Sequence, residues 1–212
     1  MLSVYNYMGL GLALTGLVAF FVAATPAIYM PIFTTPLKWV VMLAPLGFVF
    51  FLSARLQSMS VGAAQATFWA FAAVMGLSMA SIFLVFTGAS IARVFFITAG
   101  TFGAMSLYGY TTKRDLTNWG SFLFMGLIGI IIASLVNIFI ASSALQFAIS
   151  VIGVIVFVGL TAYDTQQIKE MYYEGDGADV MTKKTIMGAL RLYLDFINLF
   201  VMLLQLFGQQ RN

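Results

Sequence analysis

The stretch RLYLDFINLFVMLLQLFG, Arg191 to Gly208, decides the fold class, because it combines the length and apolarity of a membrane helix with a carboxylate. Asp195 stands among Leu, Phe, Ile and Val. A charged side chain at the centre of a bilayer costs roughly 2.5–3.5 kcal/mol on insertion scales. At about 100° per residue, Arg191, Asp195, Asn198 and Gln205 fall on one side of a helix whose remainder is apolar. In lipid such a polar stripe is expected to turn inward, so this span should be enclosed by protein with Asp195 facing the interior.

The rest of the chain agrees with a membrane reading. Hydrophobic residues make up 62% of its 212 residues and charged residues 8%, far too little polar surface for a soluble domain. The apolar runs are long and continuous, which points to helical spans over a β-barrel. With no cysteine and no histidine, disulfides, thiol chemistry and the usual neutral-pH switch are excluded. A formal charge of +3 from scattered residues suggests loop positives at a membrane surface and no nucleic-acid partner.

A helix needs about 20 apolar residues to cross the hydrocarbon core. Seven segments meet or approach that length: 7–24, 39–54, 63–86, 91–108, 119–140, 144–163 and 186–207. The expectation is an all-α integral membrane protein, a single seven-helix domain over residues 1–212. The N-terminal run lacks a positive leader and is read as the first span; an upstream polar tail would fit so abrupt a start. Breaks fall at TPAIYMPIFTTP, SARLQSMS, FTGAS, TTKRDLTN, ASSA and KEMYYEGDGADVMTKK. Loops after the second, fourth and sixth spans carry Arg55, Lys113, Arg114, Lys169, Lys183 and Lys184, against Lys38, Arg93 and Arg211 opposite. The positive-inside rule then places the N-terminus in the cytoplasm. GLGLALTG, GLSMAS and GLIGIIIAS supply small residues for close helix approach.

Of seven acidic residues, five lie in the expected loops, where solvated charge accounts for them: Asp115, Glu170, Glu174, Asp176 and Asp179. Asp164, ending the sixth span, and Asp195 are the carboxylates associated with apolar helix. The bland reading of Asp195 is an ion pair with Arg191 one turn away, of Arg55 a topology anchor, and of Asn137 and Asn198 interhelical hydrogen bonding. Paired, Asp164 and Asp195 would matter more. Two carboxylates about 4 Å apart repel by roughly 4 kcal/mol at an effective dielectric of about 20. They would share a proton, and a rise of about two to three units above the reference of about 3.9 brings titration near physiological pH.

GLSMASIF, TKRDLTNWGSFLFMGLIGIIIASLVNIF, AYDTQQIKEMY and ALRLYLDFINLFVMLLQLFG together resemble the bacterial branch of the Bax inhibitor family, also called the transmembrane Bax inhibitor motif family. The resemblance implies two three-helix layers around a central C-terminal helix in the bacterial inner membrane. It also implies a pH-sensitive calcium leak gated by an aspartate pair on the sixth and seventh helices. Asp164 and Asp195 occupy those motifs, and Arg55 stands where the family's second helix carries an arginine that latches onto the sixth-helix aspartate. Arg191, Asn198 and Gln205 are the accompanying candidates to line a pathway.

Two carboxylates cannot build a cage of six or more oxygens, so any calcium at Asp164 and Asp195 is expected to be weakly and transiently held, as a transported ion with no resident cofactor. The bilayer and calcium are the expected partners. Two other readings compete. An intramembrane aspartyl protease would carry G-x-G-D at its second aspartate; Leu192, Tyr193 and Leu194 precede Asp195, so no enzyme is expected. A regulatory protein without transport activity, binding a membrane protease or another membrane partner, is the alternative function.

Overall fold

The computed structural model describes residues 1–211, and the chain is 88% helical without named strands among them. In order come α1 (Leu2–Ala24), α2 (Pro26–Thr34), α3 (Leu37–Arg55), a 3-10 turn (Leu56–Ser58), α4 (Val61–Val85), α5 (Gly88–Thr111), α6 (Thr117–Ile140), α7 (Ser143–Glu170) and α8 (Ala178–Phe207). Seven of these, all but α2, are long and apolar enough to cross a membrane. Large apolar side chains such as Phe50, Phe96 and Phe139 lie open on their outer faces, a surface suited to lipid.

The chain divides into two compact units. The first holds residues 1–87, 172–193 and the tail from Gln210; the second holds residues 88–171 and 194–209. Helix α8 therefore contributes its first half to one unit and its second half to the other.

In the first unit α1 packs on α4 through glycine. A Cβ at Gly76 would sit 2.7 Å from the Thr15 carbonyl oxygen, and one at Gly11 would press on the Phe68 ring. That proximity lets the Thr15 hydroxyl reach the Ala72 carbonyl at 2.8 Å and the Tyr193 hydroxyl at 2.6 Å. Tyr193 is fully buried, edge-on to Phe71, so a hydroxyl pair ties α1, α4 and α8 together where neither partner can reach water. Val22, Ile32 and Ala80 form a further core that seats α2. The segment containing α2 differs from the break expected there: Pro26 takes the first helical turn, where its missing N–H costs nothing.

In the second unit α7 packs against both α5 and α6, and α5 and α7 meet the later half of α8. A Cβ at Gly109 would overlap the Ala162 carbonyl, so α5 and α7 touch backbone to backbone. Phe95 and Phe102 meet Phe196 of α8 edge to face. The Gln166 side chain accepts from the Leu116 N–H at 2.8 Å and donates to the Arg114 carbonyl at 2.9 Å, fixing the α5–α6 connection against α7. Between α6 and α7 the chain turns at Ala141, whose φ of 50° is left-handed. Asn137 Oδ1 accepts the Ser142 N–H at 3.0 Å, and Ser142 Oγ caps α7 by accepting from the Leu145 N–H.

Two ends differ from expectation. α7 continues to Glu170 and α8 begins at Ala178, so segments assigned to a loop by their charges are helical. Helices continue beyond the hydrocarbon because their backbone hydrogen bonds do not need an apolar setting; charge ends a span without ending a helix.

Candidate functional site

Asp195 lies within α8 at 5% exposure, with Leu192 and Leu199 on either side fully buried. The most apolar stretch of α8 is 67% buried, against at most 39% for any other span, so enclosure of this helix is what places its carboxylate inside protein. A carboxylate so placed is costly to ionise unless compensated.

Asp164 is half-buried and lies inside α7, more than a turn before the helix ends at Glu170. Thr161 and Thr165 beside it are fully buried. Thr165 donates to the Thr161 carbonyl at 2.7 Å, which leaves its oxygen to accept from Ser106 of α5 at 2.9 Å. A polar layer thus crosses the second unit at the level of Asp164.

Asp164 and Asp195 belong to the same unit. The α7–α8 register is set where Gly153 meets Met202 and Gln146 donates to Gln205, which makes the two helices antiparallel. At about 1.5 Å per residue, Asp164 stands about 16 Å beyond Gly153 and Asp195 about 10 Å back from Met202, toward the same end of the unit.

The polar stripe of α8 does not turn inward as a whole. Asp195 is buried and Asn198 half-buried, with its amide donating to the Leu194 carbonyl at 2.8 Å. Arg191 and Gln205 are exposed, correcting the expectation for both. Gln205 stands in the last turn of α8. Gln205 joins a cluster that sequence reasoning missed: Gln146 and the buried Ser150 both donate to it, and Gln146 accepts from Asn137 at 3.2 Å. The signal was present in Gln146 and Ser150, one turn apart on an apolar helix.

Arg55 ends α3 in the first unit, with its side chain exposed. Among the described residues no three His, Cys, Asp or Glu side chains gather closely enough to hold a metal ion.

Two loop carboxylates have explained environments. The Thr117 hydroxyl and backbone N–H hold Asp115 below the ordinary carboxylate range. Lys184, at 2.5 Å, and the Tyr173 N–H do the same for Asp176 in the α7–α8 connection.

The family model described as inhibitor of apoptosis-promoting Bax1 matches residues 1–212. The inner membrane protein YbhL of Escherichia coli K12 is 52% identical over all of this chain and 92% of its own length. An uncharacterized protein of Rickettsia prowazekii is 51% identical over all of this chain and 90% of its own length, and one of Caulobacter vibrioides 46% over all of this chain and 89% of its own. With seven apolar spans and a family match from end to end, the chain belongs to the Bax inhibitor family and is a multi-pass membrane protein of that family.

Proposed function

We propose that the protein is a pH-sensitive calcium leak of a bacterial inner membrane, with its N-terminus in the cytoplasm. The observation that carries this reading is the burial of Asp195 at 5% exposure within a membrane helix. A carboxylate retained there at a cost on the order of several kcal/mol needs a compensating role, and proton-linked ion passage is one that membrane acids serve. Asp164, in the same unit and toward the same end, is its proposed proton-sharing partner. The excess of Lys and Arg in loops after the second, fourth and sixth spans supports the orientation.

In this mechanism Asp195, the deeper group, keeps the shared proton and leaves Asp164 ionised for Arg55. Acid protonates Asp164 and frees Arg55, which opens the path. Calcium passes as a transient guest of the two carboxylates. The test is calcium entry into liposomes containing the purified protein. Asp195→Asn, which keeps shape and hydrogen bonding but cannot ionise, is expected to change both the leak and its pH profile; an unchanged profile assigns Asp195 to packing. A wild type that admits no calcium at any pH defeats the leak reading.

A further inference from the structure

On the lipid-facing side of the first unit an apolar groove of about 630 Å³ runs between α3 and α4. Ala44, Gly47, Phe48 and Phe51 line it from α3, Ala66 and Ala70 from α4. It is open because small residues stand where side chains would otherwise fill the space between the helices; a Cβ at Gly47 would meet nothing within 4 Å. Arg55, Phe51, Phe48 and Ala44 follow one another at spacings of four, three and four, so Arg55 heads the face that carries the groove. Its guanidinium makes no hydrogen bond or ion pair with any described residue of its own unit. A second cation stands at the same end, where Lys183 donates to the Gln57 carbonyl at 3.0 Å.

We propose that this groove binds an anionic phospholipid, with one acyl chain along α3 and α4 and the phosphate at Arg55. The occupant follows from the surroundings. A lipid-exposed groove with an apolar floor is filled by an acyl chain, and a basic end at the headgroup level selects negative charge. Arg55 is about 6 Å along the helix from Phe51 and about 12 Å from Gly47, so a headgroup held by it leads directly into the groove. Lys38 and Trp39 mark the other end of α3, an anchoring pair of the kind found at the opposite interface. The site shares Arg55 with the proposed latch, but its test reads lipid binding alone and needs no calcium flux.

The experiment is native mass spectrometry of the purified protein in mild detergent after incubation with equal amounts of phosphatidylglycerol and phosphatidylcholine. The expected result is one retained phosphatidylglycerol per chain. Arg55→Ala should lower the ratio of phosphatidylglycerol to phosphatidylcholine by roughly fivefold, the effect of one cation near a membrane surface. Gly47→Leu and, from the other helix, Ala66→Leu fill open space and should remove the adduct while leaving the melting profile by circular dichroism intact. Wild-type adducts without headgroup preference, an unchanged ratio in Arg55→Ala, or adducts surviving in both groove variants would overturn the proposal. So would a wild-type dimer that Gly47→Leu splits, since the groove would then hold a second copy.

Discussion

At the scale of single residues, Thr15 and Tyr193 share a hydroxyl contact that is asymmetric in consequence. Thr15 reaches two carbonyls besides Tyr193, those of Gly11 and Ala72. Removing the Tyr193 hydroxyl therefore leaves Thr15 with partners, and Tyr193→Phe should cost about 0.5–1.5 kcal/mol. Thr15→Val strands the buried Tyr193 hydroxyl and should cost about 1–3 kcal/mol, with a lower melting temperature in detergent than Tyr193→Phe. The opposite order would mean that Tyr193 has another hydrogen-bond partner. Gly109→Val should be worse than either, at about 3 kcal/mol or more, because the Ala162 backbone it meets cannot rotate away. Asp195 was legible at this scale, since an acid in an apolar run has few places to go. The Thr15–Tyr193 pair was not: the two residues are far apart in sequence, and only the close approach of α1 and α4 makes them partners.

At the scale of elements, the cores of all seven spans could be read from hydropathy, while their ends could not. Lys183, Lys184 and Asp179 marked the start of α8 as loop, although the helix carries them as a polar extension beyond its apolar stretch. Its first turn is stabilised instead by Asp179 at the positive end of the helix dipole. The connection before it has its own pH behaviour. Asp176 is held below the ordinary carboxylate range by Lys184, so its contact is intact at neutral pH and is lost only as pH falls through that lowered value, below about 3.9. Lys184→Ala should move the Asp176 carboxyl titration upward when followed by carbon NMR. A midpoint that stays put would assign the shift to the Tyr173 N–H. Either way, a response between about pH 8 and pH 6 lies outside the range of this ordinary carboxylate contact.

At the scale of the whole molecule, the division of α8 between two units places Tyr193 in one and Asp195 in the other, two residues apart in sequence. That division was not legible, because the apolar pattern of α8 is continuous and shows no seam between Tyr193 and Leu194. The membrane class was legible from local composition, and the family from the resemblance of the segments around Asp164 and Asp195. The proposed gating sets two opposing effects of rising pH against each other. In the proposed mechanism repulsion between the two carboxylates would separate α7 and α8, while ionised Asp164 would attract Arg55. Asp195 is the more deeply buried of the two, and the proposal therefore leaves the shared proton there and lets the attraction govern.

The direct measurement is therefore calcium flux into liposomes as a function of pH on the cytoplasmic face, for wild type and Arg55→Ala side by side. The leak should rise in wild type as pH falls, and Arg55→Ala should be high and nearly independent of pH. A wild-type leak that increases with pH, or an Arg55→Ala protein that stays shut, would contradict a latch made by Asp164 and Arg55.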